Sequence, residues 1–231
     1  MIAFPIVTAA VLFALTWSMA AQYITRGRPH QLAWAVALAS GLAGTLAFLG
    51  TTISGGNPWL FRAYYLGGAV LTAPLLGVGS TLLLSRRGWF AAMLAVALLA
   101  GVAGAVGLAA MPLSGAQLAG MGIEPGTTVV RSAAVIVPVI VGNSLGTVAV
   151  VGVALWSLWA SVRGHRPWGV TAGNALIVVA TLVIAAAGSL ARLGAGAGFW
   201  GATAVGFCVL YAGVAVMALR AAPRAATSAA G

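Results

Sequence analysis

Apolar residues along this chain come in runs too long for the alternation of a half-buried strand or the narrow stripe of a surface helix. The runs are apolar all round, as a helix is when lipid covers it. Seven can be marked, at residues 2–23, 31–50, 60–85, 89–111, 129–162, 168–193 and 199–219. Each approaches or exceeds the roughly 20 residues that cross about 30 Å of hydrocarbon. The fifth is longer than one bilayer needs and is expected to tilt or to extend past the membrane. Gly, Pro and polar residues punctuate the connections, notably Thr51–Pro58 and the longest loop, 112–128. The pattern predicts an all-α integral membrane protein, a seven-helix bundle forming one transmembrane domain over 1–231.

Composition agrees. Of the 231 residues, 62% are hydrophobic and 5% are charged, against about 25% charged in soluble domains. The net charge of +10 comes from eleven arginines and one acid, Glu124, with no lysine and no aspartate. In a soluble protein that balance would point to nucleic acid. Here the arginines sit between apolar runs, so no nucleic-acid partner is expected. Contact with the lipid bilayer and its anionic headgroups is expected instead. Arginine without lysine, amid abundant Ala, Gly and Val, suggests a GC-rich bacterial genome and hence a multi-pass protein of the bacterial plasma (inner) membrane.

Charge also orients the bundle. The first run lacks a basic leader and is followed by Arg26 and Arg28, so it reads as a retained span with its N-terminus outside. Arg26, Arg28, Arg86, Arg87, Arg163, Arg166, Arg220 and Arg224 then fall in the cytoplasm, with the C-terminus. Only Arg62, Arg131 and Arg192 fall outside. This is a positive-inside bias. Trp34, Trp89, Trp156, Trp159 and Trp168 are expected at the inner interface, and Trp59 and Trp200 at the outer one.

A shift of 138 residues pairs Arg28-Pro29 with Arg166-Pro167, Gly50 with Gly188, Phe61 with Phe199, Gly68 with Gly206, and Arg86 with Arg224. Loops and spans stay in register, which marks a candidate parallel repeat of 3+1+3 form. Its halves are 1–87 and 129–224, with a linker span at 88–111. In architecture alone this resembles the sugar-transporting SWEET and PQ-loop proteins, though no Pro-Gln dipeptide occurs. Microbial rhodopsins also have seven spans, but a retinal Schiff base needs a lysine, which this chain lacks.

Catalytic candidates are few. Glu124, His30 and His165 all fall in predicted loops, the histidines on the inner side and Glu124 on the outer. They cannot converge for acid–base work. No cluster of His, Cys, Asp or Glu exists to hold a metal, and no carboxylate lies inside a span to relay protons. No enzyme activity, catalytic residue, metal or cofactor is therefore expected. The lone Cys208 reads as a small buried hydrophobe.

Two sets of residues remain as sites. Asn143, Ser144, Asn174, Thr181, Thr72 and Tyr211 could bind a small neutral solute near the midplane, although such residues more often bond helix to helix. Arg62, Arg131 and Arg192 could bind an anion or lipid headgroup on the outer side, with Tyr64 and Tyr65 lining a vestibule or joining the interfacial aromatic belt. Small residues at Gly101, Gly104, Gly107, Gly142 and Gly146 allow close helix approach, and Pro5, Pro74 and Pro138 can kink spans. Three functions follow: a gradient-driven carrier or facilitator of a small neutral or anionic solute, an accessory subunit joining a membrane-protein partner or homo-oligomer, or a sensor or lipid-binding module.

Overall fold

The computed structural model describes residues 2–84, 87–164 and 168–221. Arg86, His165, Arg166, Pro167, Arg224 and the tail beyond Ala221 lie outside the described residues. Among those described there is no strand, and seven helices are long and apolar enough to cross a membrane. The chain is a polytopic helical bundle.

The helices are α1 (Ala3–Arg26), α2 (Pro29–Ile53), α3 (Pro58–Leu84), α4 (Arg87–Ala110), the short α5 (Gly115–Gly120), α6 (Ala133–Arg163), α7 (Trp168–Arg192) and α8 (Phe199–Ala221). Local signals set their ends. Gly27 takes a left-handed φ of 63° to stop α1, and Pro29 opens α2 where no backbone donor is needed. The Asn57 side chain accepts from the N–H groups of Trp59 and Leu60 at the start of α3. Ser114 and Gln117 form a capping box on α5, a piece of helix inside what the sequence reads as plain loop.

Six of the long helices close a ring. α1 packs on α2, α2 on α3, α3 on α6, α6 on α7, α7 on α8, and α8 returns to α1. α4 lies outside it, against α3 and α6. Its outward face exposes Leu98, Leu99, Val102 and Val106, apolar surface of the kind that lipid covers.

Glycine sets how closely the helices approach. A Cβ on Gly146 of α6 would strike the Ala73 carbonyl of α3, and one on Gly44 of α2 would strike the backbone at Gly68 of α3. On α4, a Cβ at Gly104 would come within 2.9 Å of Val70, and one at Gly107 within 2.8 Å of Val135. The glycine faces of the fourth and fifth spans are thus consumed inside the molecule.

α3 is not a plain α-helix. It is α-helical over Pro58–Tyr64, widens to a π-helix over Tyr65–Leu71, and returns to α over Thr72–Thr81. The cause lies in the residues around it. Pro74 has no N–H to give the turn before it, and the Gly67-Gly68 pair lets α2 press directly on the backbone, a Cβ on Gly67 lying 2.7 Å from the Ser40 carbonyl oxygen. The wide turn leaves carbonyls needing donors, and lipid supplies none. Side chains provide them. The Ser40 hydroxyl donates to the Gly67 carbonyl at 3.0 Å and the Thr72 hydroxyl donates to the same oxygen at 2.8 Å. The Asn143 amide on α6 donates to the Ala69 carbonyl at 3.0 Å.

Replacing Gly146 by Ala sets a methyl against backbone beside Pro74, which cannot yield as a side chain tip would. It is expected to cost about 1–3 kcal/mol, read as a lowered thermal midpoint of the purified protein. Gly152→Ala, with nothing within 4 Å of the new Cβ, is expected to leave the midpoint unchanged or raised.

Candidate functional site: a cavity inside the helix ring

The ring encloses a cavity of about 540 Å³, lined by α1, α2, α3, α6, α7 and α8 and by Pro125 and Thr127 of the long connection. α4 contributes nothing to its wall. Pockets that take metabolite-sized ligands run from about 300 to 1,000 Å³ and combine an apolar lining with a few placed polar groups. This one has both.

Its end beneath the long connection, here the loop end, holds aromatic and polar side chains. Phe48, Tyr64 and Trp200 cluster with tilted rings, centroids 5.0 Å apart for Phe48–Tyr64 and 4.4 Å for Phe48–Trp200. The Tyr64 hydroxyl donates to the Pro125 carbonyl at 2.9 Å, and the Thr127 hydroxyl donates to the Ala191 carbonyl at 3.1 Å. These bonds fasten the connection across the mouth. A φ of +72° at Gly126 allows the tight path over Phe61, where a Cβ would lie 2.6 Å from the ring. Arg192, at the last turn of α7, donates to the Tyr65 hydroxyl at 3.4 Å.

Asn143 lies ten residues into α6, about 15 Å along the axis at 1.5 Å per residue. Its amide nitrogen is committed to Ala69, and its carbonyl oxygen is buried without a partner. The Thr203 hydroxyl and the Trp200 indole N–H are likewise buried without a partner. Such groups usually find one, and all three residues line the cavity. Beyond Asn143 the lining is mostly apolar, with Leu12, Leu15, Met19, Leu76, Phe207 and Val214, and Thr147 as a polar residue one turn further along α6.

The midplane candidates divide. Asn143, Ser144, Thr181 and Thr72 line the cavity together. Thr72 and Thr181 spend their hydroxyl protons on the Gly67 and Ile177 carbonyls, so each offers a ligand only an oxygen acceptor. Asn174 stands apart: it is buried, and its amide donates to the Ser157 hydroxyl at 3.0 Å and the Val170 carbonyl at 2.9 Å. It joins α6 to α7 away from the cavity. Tyr211 is 43% exposed and lies beside Ser18 in a separate surface groove.

The three arginines divide as well. Arg62 donates to the carbonyls of Leu108 at 2.9 Å and Met111 at 3.1 Å, capping α4, and lies 4.9 Å over the Trp59 ring. Arg131 is exposed and donates to the Thr128 carbonyl. Only Arg192 lines the cavity. Tyr64 and Tyr65 are buried there, not in an interfacial belt, and so is Trp200, at 5% exposure. Trp59, Trp89, Trp156, Trp159 and Trp168 do have the exposure a belt requires.

Thr203 is absent from the sequence reading, and Trp200 enters it only as an interfacial tryptophan. For Thr203 a signal existed, since it stands 138 residues after Tyr65 and so occupies the matching place in the candidate repeat. No protein-family model, curated protein or solved structure matches this chain. Among the described residues, no group of three or more His, Cys, Asp or Glu comes together.

Asn143→Leu leaves the Ala69 carbonyl unpaired at membrane depth. It is expected to destabilise by about 1–3 kcal/mol, measured as a drop in thermal midpoint. An unchanged midpoint would mean that the wide turn of α3 does not need this amide.

Proposed function

We propose that the protein is a gradient-driven carrier or facilitator of a small solute, with the ring cavity as its binding chamber. The observation that carries this reading is a 540 Å³ space bounded by membrane-capable helices, with Asn143, Ser144, Thr203 and Arg192 set in a largely apolar lining. A static bundle has no use for such a void, because close packing is what holds membrane helices together. The accessory-subunit reading is weakened, since the glycine faces it would use are occupied within the chain.

We also propose the orientation and the repeat. The end opposite the long connection bears Arg26, Arg28, Arg87 and Arg163, which favours that end in the cytoplasm, the N-terminus outside and a bacterial inner membrane. Support for the repeat comes from the wall of the chamber. At a shift of 138, Leu12 and Val150, Tyr65 and Thr203, Ala69 and Phe207, Thr72 and Leu210, and Leu76 and Val214 all line it in pairs. The contact of α3 with α6 also has its counterpart in that of α8 with α1. The second helices of the two halves, α2 and α7, do not keep that register in the lining. An axis along the membrane normal would relate the halves, an arrangement known for transporters that work by rocking one half on the other.

Proteoliposomes challenged with erythritol, lactate or benzenesulfonate and followed by light scattering test the reading. At least one solute is expected to enter faster than into empty liposomes, and Ser144→Trp, which fills the chamber, is expected to abolish the difference. Rates equal to empty liposomes for all three, or flux untouched by Ser144→Trp, would overturn it.

A further inference from the structure

Resting on the chamber described above, we infer that its ligand is an amphiphilic organic monoanion with one apolar tail, held head-first by Arg192 and admitted sideways from the bilayer between α6 and α7.

The head group follows from charge. Arg192 is half-buried and lines the cavity, and its guanidinium has five donors. Among the described residues its side chain makes one hydrogen bond, a long one of 3.4 Å to Tyr65. No acid pairs with it among the described residues, and the chain has just one, Glu124, which is exposed. A cation in such surroundings calls for a counter-ion. Snorkelling to a headgroup would turn the side chain outward, yet it bonds inward to a tyrosine that is 1% exposed. Thr203 and Trp200 line the same end, within the first turns of α8. A carboxylate there would meet the Arg192 guanidinium, whereas an ammonium would be repelled by it.

The tail follows from the lining. From Thr203 to Val214 the cavity wall on α8 runs about 16 Å, eleven residues at about 1.5 Å each. Beyond the level of Asn143 its side chains are mostly apolar, Leu15, Met19, Phe207 and Val214 among them. A small hydrophilic anion would leave that half of the space with nothing to bind.

The route follows from exposure. Ile140 and Val148 line the cavity and are still 49% and 67% exposed, and Ser144 between them is exposed as well. On α7, Ser189 is exposed and also lines it, and a Cβ on Gly188 would meet nothing within 4 Å. The contacts that join α6 to α7 lie at the opposite end: Val150 and Ala154 cluster with Ile177, and Ser157 bonds to Asn174. The two helices are fastened there and part toward the loop end, which opens the wall at the depth of the head group.

The test uses the full chain in phosphatidylcholine nanodiscs and dodecanoate brominated at its terminal carbon, a quencher of tryptophan fluorescence. Trp34 lines the tail end of the cavity. Saturable quenching is expected, reduced in Trp34→Phe. The uncharged brominated dodecanol is expected to bind about tenfold more weakly or worse, as is the acid to Arg192→Gln, the scale of losing a charge-assisted contact. Arg131→Gln, outside the cavity, is expected to bind as wild type. Phosphatidylglycerol added to the disc tells apart the sources of the anion: no competition is expected of a site for a single-chain acid, and competition would mean that a two-chain bilayer lipid supplies the head group and would overturn the single tail. The comparison of acid with alcohol is made on the unaltered protein, so it stands even where a variant fails to fold. Equal binding of acid and alcohol, or full binding by Arg192→Gln, would overturn the inference. Acid-selective binding without flux of any solute would overturn the transport reading alone, and erythritol flux without acid-selective binding would overturn this inference alone.

Discussion

The constraint on which the rest of the structure depends is that a backbone carbonyl at membrane depth must find a donor inside the protein. Pro74 withholds an N–H from the turn before it, and α3 answers by widening over Tyr65–Leu71. The oxygens of Gly67 and Ala69 on this turn accept from Ser40 of α2, Thr72 of α3 itself and Asn143 of α6. Three neighbouring helices are thereby fixed in register at one level. The cost in helix regularity is offset by bonds that are hard to exchange where there is no water.

From that junction the cavity follows. Glycines bring α2 and α6 against the backbone of α3, and α4 packs behind them on its own glycine face. The remaining helices must then curve round to α1, and the space they surround is too wide for side chains to fill. The polar groups on its wall are held by bonds made elsewhere. Asn143 keeps an oxygen free because its nitrogen is spent on Ala69, and Tyr65 is placed for Arg192 by the widened turn in which it sits.

Much of this was legible in the residues and some was not. All seven spans could be marked, because lipid selects for composition more strongly than for any local motif. Their ends shifted by a few residues where caps decided: Gly27 lets α1 run on to Arg26, and Pro29 starts α2 early. The π-helix was not legible, since an all-apolar run shows no periodicity to distinguish a turn closed four residues on from one closed five on. Arg62 and Arg192 look alike in sequence, each near a helix end on the same side. They part only in three dimensions, where Arg62 faces the open carbonyls of α4 and Arg192 faces Tyr65. Asn143 and Asn174 separate for the same reason, one across a widened turn and one across a tight contact.

The account stands on the ring being closed by α1 against α8 with α4 left outside. In the structure a Cβ on Gly201 of α8 would lie 3.9 Å from the Phe4 ring of α1. In a Cys208→Ser background with a protease site placed in the long connection, the pair Phe4→Cys and Gly201→Cys can be treated with a short bifunctional maleimide and the chain then cut. The halves are expected to stay joined, and to separate when Gly201→Cys is paired instead with Val102→Cys on α4. Separation of the first pair, or joining of the second, would contradict the closed ring and the chamber inside it.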